Sequence, residues 1–293
     1  MKNRPTAQAR RRLRPRRDPP IIAVCYDFDG TLSPRNMQEY DYIPKLRLSS
    51  RKFWREAQER AREQGADEIH SYMRLMLEKA TPASGVQITK KAFIDYGRTI
   101  PLFPGVKSWF PRMNAFGSRL GASVRHFIIS SGIREMILGT PIAGEFERIY
   151  ASSFMFDQNG VAYWPALALN FTTKTQFLFR INKGVLDPWD DSRINDFIQM
   201  AERPVPFSRM IYIGDGTTDI PCMKLVKEQR GYSIAVFPPG PGKKAVAERL
   251  RGENRVNFTA PADYRAGRPL DLQVKATLRK IMAEYALLGG EKK

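Results

Sequence analysis

Residues 21–32 read I-I-A-V-C-Y-D-F-D-G-T-L, and this stretch decides the fold. Its first six residues are mostly β-branched or aromatic, which predicts a strand buried on both faces. The apolar run stops at two carboxylates two residues apart, Asp27 and Asp29, and Gly30 then lets the chain turn. Side chains two apart on a strand start on the same side, and ligands of open α/β sheets gather at the carboxyl ends of strands. The sequence therefore places paired acids where α/β proteins carry out their chemistry.

The composition limits the class of protein. The chain has 293 residues, of which 42% are hydrophobic, enough for one large domain or two modest ones. Cys25 and Cys222 lie in apolar surroundings and are interpreted as core residues, which favours a reducing compartment and a cytoplasmic location. No run of about 18 apolar residues and no signal-peptide pattern is present, so we expect no membrane partner.

The positive charge is unevenly distributed. The net charge is +18, and residues 1–17 carry eight lysines and arginines without a single acid. Such a block cannot bury apolar surface, so residues 1–18 are predicted to form a basic, disordered tail. A weak nucleic-acid contact through residues 1–17, a targeting signal and a merely solvated tail all fit this composition. The excess positive charge of the body suits an anionic substrate.

The segment 34–103 has a different character from the strand that precedes it. Residues 50–64 and 66–80 carry apolar residues at helical spacing, and Gly65 separates them. Thr89 is a suitable N-cap for a third helix that runs to residue 96. We predict that this segment is a small helical domain inserted into an α/β core made of residues 19–33 and 104–293.

Two polar features follow in the core. A strand over residues 124–129 ends in Ser130-Ser131-Gly132, which suits either an anion site or a simple N-cap. A hairpin is predicted over residues 149–164, and Lys174 then stands at the start of a helix. The helix dipole disfavours a lysine there, so a nearby anion would explain it, although an ordinary exposed lysine is the alternative.

A second acidic strand end completes the pattern. The strand over residues 210–213 leads into G-D-G-T-T-D, which contains Asp215 and Asp219. Two acidic strand ends in one sheet repel each other, and a divalent cation bound by oxygen ligands removes that cost. This arrangement predicts a Mg²⁺ site. Residues 233–237 are predicted to be the final strand, followed by helices from about residue 243 and over 272–288.

The order of D-F-D-G-T, the strand-end Ser130, the helix-start Lys174 and G-D-G-T-T-D resembles the haloacid dehalogenase superfamily. The resemblance runs from about residue 21 to the end and is closest to the phosphoserine-phosphatase branch, whose helical cap lies between the first and second motifs. It implies an α/β fold with a doubly wound, mostly parallel Rossmann-like sheet, into which residues 34–103 are inserted as an α-helical cap domain.

The resemblance also implies roles for the acids. Asp27 would be the nucleophile that forms an aspartyl phosphate, and Asp29 the general acid and then the general base. Mg²⁺ would be held by Asp27, the backbone carbonyl of Asp29 and Asp215, with Asp219 in support.

The remaining motif residues would bind the phosphoryl group. Ser130 would donate a hydrogen bond to one phosphoryl oxygen, and Lys174 would neutralise another. Thr31 and the turn residues Ser131 and Gly132 would add donors.

These roles predict a Mg²⁺-dependent phosphatase acting on a small phosphorylated metabolite. Two departures from the branch leave phosphoserine specificity unsupported: Thr218 stands where asparagine is usual, and Ser131-Gly132-Ile133 replaces a pair of glycines. The alternatives are a phosphotransferase or phosphomutase of the same fold, and a non-catalytic phosphate- or nucleic-acid-binding protein that uses the arginine-rich tail. His70 and His126 are not needed by the chemistry and are interpreted as structural or surface residues.

Overall fold

The computed structural model describes residues 18–239 and 242–289 of the chain. They contain a seven-stranded sheet in the order β4-β3-β2-β1-β5-β6-β7. Every neighbouring pair is parallel except β3 and β4, which form an antiparallel hairpin. The strands are β1 Ile21–Tyr26, β2 Ser123–Ile133, β3 Arg148–Phe156, β4 Ala162–Leu167, β5 Met210–Gly214, β6 Tyr232–Phe237 and β7 Phe258–Pro261. The predicted doubly wound, mostly parallel α/β fold is confirmed.

Helices cover both faces of the sheet, and four of them lie between β1 and β2 ahead of α5. They are α1 Tyr42–Lys45, α2 Ser50–Gln64, α3 Glu68–Lys79, α4 Lys90–Gly97, α5 Val106–Arg119, α6 Arg134–Leu138, α7 Lys174–Lys183, α8 Ile220–Glu228, α9 Lys243–Gly252 and α10 Pro269–Leu287. The bounds of α2 agree with the prediction, because Gly65 ends the helix in the left-handed conformation. Thr89 caps α4 as predicted, its side chain accepting the N–H of Ala92.

Two sequence predictions about the core need correction, and one helix was missed. The strand predicted to end at residue 129 continues to Ile133, with a register shift against β3 after Ser130. Residues 233–237 are not the final strand, because β7 pairs with β6 beyond them. Helix α8 was not predicted. Its nine residues and the four of β7 are too short for a clear periodic signal.

Strand β1 lies at the centre of the sheet and is buried on both faces, as predicted. Ile22, Val24 and Tyr26 belong to the hydrophobic cluster on one face, and Ala23 and Cys25 to the cluster on the other. All five side chains are fully buried. Because both faces are packed, the end of β1 is a rigid platform for the residues that follow it.

Helix α4 is joined to the β3–β4 hairpin through the backbone. Thr89 forms an antiparallel bridge with Val161, the Lys90 N–H donates to the Gly160 carbonyl at 2.8 Å, and the Ala162 N–H donates to the Ile88 carbonyl at 2.9 Å. These hydrogen bonds attach the last helix before residue 103 directly to the sheet.

Helix α4 also packs unusually closely against α6. A Cβ atom at Gly97 would overlap the Met136 carbonyl, and one at Gly139 would overlap the Ile94 carbonyl. Only glycine at both positions permits this separation of the two backbones. The contact therefore holds α4 against the core through main-chain atoms.

Beneath the sheet end, Tyr26 lies in a buried chain of hydrogen bonds. The Trp109 indole N–H donates to the Tyr26 oxygen at 2.9 Å, and the Tyr26 hydroxyl lies 2.9 Å from His126 Nδ1. His126 Nε2 lies 3.0 Å from Asn114 Oδ1, which accepts a hydrogen bond from that nitrogen. Burial lowers the pKa of His126 to about 3, so its neutral form accepts at Nδ1 from Tyr26. His126 is thus structural, and His70 is exposed on α3.

Replacing Tyr26 by phenylalanine is expected to lower the free energy of unfolding by roughly 2–4 kcal/mol. The substitution leaves the Trp109 donor and the His126 acceptor buried without partners, and each unpaired group costs about 1–3 kcal/mol. Urea denaturation followed by tryptophan fluorescence measures the change. Tyr163→Phe is the control, because Tyr163 is exposed and its change should stay within about 0.5 kcal/mol. Equal stabilities of the two variants would contradict the account.

Two sequence expectations concern the chain outside the core. The predicted basic tail and its nucleic-acid contact fall on residues 1–17, which lie outside the described residues. Across residues 18–239 and 242–289, no helix combines the length and the apolar character needed to cross a membrane.

Candidate active site

The candidate site lies where the order of the strands reverses. The chain moves from β1 to β2 and β3 on one side, then returns to the other side for β5, β6 and β7. Open α/β sheets bind ligands at this reversal, outside the carboxyl ends of the strands. Asp27 follows β1, and its N–H donates to the Ile213 carbonyl of β5 at 2.9 Å. Asp215 follows β5, so the two acidic strand ends predicted from the sequence are neighbours.

Three carboxylates converge at this point. Oxygen atoms of Asp27, Asp215 and Asp219 all lie within 4.8 Å of one another. Burial, followed by the charge of Asp219, raises the pKa of Asp27 to about 7 and that of Asp215 to about 8. The pKa values rise because ionised carboxylates this close and this buried repel one another. The cluster therefore carries an unfavourable concentration of negative charge.

This donor set fits a hard divalent cation. The three residues offer carboxylate oxygens, which are the ligands that Mg²⁺ prefers. Asp219 Oδ2 is buried and accepts no hydrogen bond, so it has a lone pair to offer. Gly30 makes room for this cluster, because a Cβ atom there would overlap the Asp215 carboxylate. The carboxylates predicted to hold the metal are thus brought together, whereas the carboxyl group of Asp29 is not part of the cluster.

Lys174 is the cation of the site and not an exposed lysine. Its side chain is fully buried, and its ammonium nitrogen lies 2.8 Å from Asp219 Oδ1 and 3.1 Å from Asp27 Oδ1. Burial works against its charge, but the carboxylates of Asp219 and Asp27 prevail and raise the pKa of Lys174. Tyr212 also donates to Asp219 Oδ1, at 2.8 Å. The carboxylates of Asp27 and Asp219 therefore account for the lysine at the start of the helix.

Asn170 orients the helix that carries Lys174. Its side-chain oxygen accepts the N–H groups of Thr172 and Thr173 at 3.1 and 2.9 Å, which caps the first turn. Its side-chain nitrogen donates to Asp67 Oδ2 at 2.8 Å, and Asp67 is the N-cap of α3. Asn170 was not singled out in the sequence. It connects the segment before α7 to the helices that follow β1.

Asp29 points away from the carboxylate cluster. Its Oδ1 accepts the N–H of Met37 at 3.0 Å, and a Cβ atom at Gly132 would lie 3.0 Å from its Oδ2. Burial, followed by the charge of Asp27, raises the pKa of Asp29 well above its usual value. A raised pKa favours the protonated form of a carboxyl group, which can donate a proton.

Of the residues predicted to bind phosphate, Ser130, Ser131, Gly132 and Lys174 line the cavity of the candidate site, whereas Thr31 is fully buried and does not. Ser130 Oγ accepts the N–H of Gly132 at 3.1 Å. The hydroxyl oxygens of Ser131 and Thr31 are buried and form no hydrogen bond in the described structure. The Thr31 carbonyl accepts from Tyr264 at 2.8 Å, which fixes the turn after β1. The unpaired Ser131 hydroxyl, in the cavity that Lys174 also lines, suits the binding of an anion.

A cavity of about 500 Å³ opens onto these groups. It is lined on one side by Asp27, Asp29, Ser130, Lys174 and Asp215. The other side comes from the helical segment and from loops that the sequence did not mark. These lining residues include Pro34, Arg35, Asn36, Gln38, Glu39, Trp54, Gln58, Glu68, Ile69, Tyr72, Phe171, Thr218 and Lys243.

The family model for haloacid dehalogenase-like hydrolases matches residues 24–224, which is more than half of the chain. The chain belongs to that family. The match spans the turn after β1, Ser130, Lys174 and the turn after β5. This member of the haloacid dehalogenase-like hydrolases therefore carries all the motifs from which the resemblance was inferred.

Individual proteins are similar to this chain. An uncharacterized protein from Borreliella burgdorferi is 28% identical over 273 residues, covering 85% of this chain and 94% of its own length. A haloacid dehalogenase family hydrolase from Salmonella enterica serovar Typhi superposes with a TM-score of 0.56 at 16% identity, over 88% of this chain and 71% of its own. A substrate-bound phosphoserine phosphatase superposes with a TM-score of 0.54 at 12% identity, over 87% and 97%. At these identities the two superpositions establish a shared fold.

Proposed function

We propose that the protein is a Mg²⁺-dependent phosphatase that hydrolyses a small phosphomonoester through an aspartyl phosphate. The observation that carries the proposal is the position of Asp27 at the strand reversal. Its carboxylate lies beside Lys174 and within a cluster of acids that fits a divalent cation. Family membership supports hydrolysis as the class of reaction.

In the first half-reaction, an Asp27 carboxylate oxygen attacks phosphorus and the bond from phosphorus to the ester oxygen breaks. Asp29 gives its proton to that ester oxygen, so the alcohol leaves neutral. The raised pKa of Asp29 supports this role, since a protonated carboxyl group is available. Ser130 and Lys174 hold phosphoryl oxygens and stabilise the charge that develops on them.

In the second half-reaction, water attacks the phosphorus of the aspartyl phosphate and Asp29 takes a proton from that water. Asp27 leaves as a carboxylate and inorganic phosphate is released, which returns both residues to their starting states. One carboxyl group thus acts first as an acid and then as a base. Two easier steps replace one difficult displacement.

Asp27, Asp215 and Asp219 would hold Mg²⁺, together with the backbone carbonyl of Asp29. When bound, the cation would offset repulsion between these carboxylates and the phosphate and orient the phosphoryl group. Burial, followed by the charge of Asp219, raises the pKa values of Asp27 and Asp215 even with Lys174 nearby.

We propose that residues 34–103 form a cap that limits the substrate to a small metabolite. The size of the cavity supports this, because about 500 Å³ suits a metabolite and not a folded protein. A cytoplasmic location is proposed as well, and the two free, buried cysteines support it.

Release of phosphate from p-nitrophenyl phosphate tests the proposal. We expect phosphate release with Mg²⁺. Excess chelator should remove at least about 95% of the rate, because a bound metal supplies several kcal/mol of transition-state stabilisation. The rate should recover when Mg²⁺ is restored. Asp215→Ala should raise the Mg²⁺ concentration needed for half the maximal rate. Chelator-insensitive release would contradict the metal requirement, and the absence of release with any phosphate ester would contradict the function.

A further inference from the structure

Gln38 is a buried polar residue in the cavity wall with no part in the chemistry described above. It lies in the single helical turn Met37–Glu39, directly after the residue whose N–H binds Asp29. Its side chain is only 1% exposed and lines the cavity. Its Oε1 is buried and receives no hydrogen bond from any described residue. Buried acceptors in native proteins have a partner as a rule, so this atom requires an explanation.

The orientation of the Gln38 amide is fixed by its neighbour Tyr72. The Tyr72 hydroxyl donates to the Ser131 carbonyl at 2.6 Å, so its proton is already used. The Tyr72 oxygen can therefore only accept, and Gln38 hydrogen-bonds to it. The donating NH₂ end of Gln38 must face Tyr72. This leaves Oε1, an acceptor with no donor, at the other end of the amide.

A second unpaired atom belongs to the same group of contacts. Ser131 carries the carbonyl to which Tyr72 donates, and its own side-chain oxygen is buried without a hydrogen bond. Gln38 and Ser131 line the same cavity as Asp29, and Gln38 directly follows Met37, whose N–H donates to Asp29. In the proposed reaction, Asp29 protonates the departing alcohol, so this is the side on which the leaving group lies.

Part of the same wall is apolar. Trp54 and Ile69 line the cavity, and the Trp54 indole N–H donates to Glu39 Oε1 at 2.8 Å. Glu39 Oε1 also accepts from Asn36 at 3.1 Å. The Trp54 ring is therefore held in place as an apolar surface against which carbon atoms of a ligand can pack. Gln38 Oε1 is an unpaired acceptor in the same cavity wall.

We propose that Gln38 Oε1 accepts a hydrogen bond from the leaving group, and that the substrate is a phosphomonoester whose alcohol carries a hydroxyl or ammonium group. The inference rests on the proposed phosphatase function and adds the chemistry of its substrate. Ser131 Oγ is the second contact for that polar group. The site selects a hydrogen-bond donor, and both a hydroxyl and an ammonium group provide one.

Three phosphate esters of nearly equal size test the inference. They are propyl phosphate, 2-hydroxyethyl phosphate and 2-aminoethyl phosphate, which differ only in the group at the end of the chain. In the wild-type protein we expect kcat/KM for at least one donor-bearing ester to exceed that for propyl phosphate about tenfold or more. The ester that is preferred identifies hydroxyl or ammonium as the donor.

Variants of Gln38 test whether this residue causes the preference for a donor-bearing ester. Gln38→Met removes the acceptor while keeping the length of the side chain, and should bring the ratio of kcat/KM values close to one. Gln38→Glu keeps acceptor oxygens at the same place and should retain a preference for the donor-bearing ester. Gln58→Met is the control, because Gln58 lines the same cavity but is exposed, and it should keep the wild-type ratio.

The outcomes separate the two proposals. Hydrolysis of all three esters with no preference in the wild-type protein would overturn the inference and leave the phosphatase function intact. A preference that survives in Gln38→Met would also overturn it. If none of the esters and no aryl phosphate is hydrolysed with Mg²⁺, the phosphatase function fails and the inference fails with it.

Discussion

Asp27→Asn is expected to abolish turnover, with a fall in kcat of roughly 10⁴-fold or more, as for the loss of other catalytic nucleophiles. An amide oxygen is a far weaker nucleophile than a carboxylate, so the bond to phosphorus would not form. The substitution also removes a negative partner of Lys174, whose ammonium nitrogen lies 3.1 Å from Asp27 Oδ1. Phosphate release from p-nitrophenyl phosphate at saturating Mg²⁺ measures the loss.

The control for this substitution is Asp18→Asn. Asp18 is exposed and lies before β1, away from the cavity. It makes the same chemical change and should leave kcat within twofold of the wild-type value, on the order expected for a surface substitution. Full hydrolysis by the Asp27→Asn protein would refute the assignment of Asp27 as the nucleophile.

Asp29→Asn is expected to separate the two half-reactions. A nitrophenolate leaves without a proton, so the first step with p-nitrophenyl phosphate should stay fast while water attack slows by about 10²–10⁴-fold. One equivalent of nitrophenol should appear in a burst, and phosphate should remain bound to Asp27. With an alkyl phosphate the leaving alcohol needs the proton, so both steps should slow and no burst should appear.

Rapid-mixing absorbance and intact-protein mass measure this difference directly. The mass should rise by one phosphoryl group only with the aryl ester. Asparagine keeps a side-chain oxygen that can accept the Met37 N–H, so the fold of the turn should be preserved. Equal slowing with both esters and no phosphorylated protein would show that Asp29 does not transfer the proton. Transfer of the group to an added alcohol in the wild-type protein would favour the phosphotransferase alternative.

The local elements were largely predictable from the sequence. The apolar run before Asp27 predicts β1, because a central parallel strand must be apolar on both faces. Gly65 and Thr89 mark helix ends because each meets a specific backbone requirement there. The convergence of Asp27 with Asp215 follows from the geometry of parallel sheets.

What could not be predicted depends on contacts between distant parts of the chain. Tyr72 reaches a carbonyl 59 residues away, and Asn170 binds a carboxylate 103 residues away. The presence of a tyrosine or an asparagine in the sequence does not predict such a distant partner. The unpaired state of Gln38 is equally invisible in the sequence, because it depends on which groups surround the amide after folding. The sequence therefore predicts the chemistry of the site better than its selectivity.

The attachment of α4 to the sheet has a mechanical consequence. Backbone hydrogen bonds at Lys90 and Ala162, together with the glycine contact between α4 and α6, fix this helix to the core. By contrast, α3 meets the core through side chains, including the hydrogen bonds that Tyr72 donates to Ser131 and that Asn170 donates to Asp67.

Side-chain contacts can break and re-form on the timescale of catalysis more readily than a sheet-like backbone pairing. The hydrogen bonds that join α3 to the core are therefore the ones that open at the lower cost in free energy, and those that join α4 to the sheet open at the higher cost.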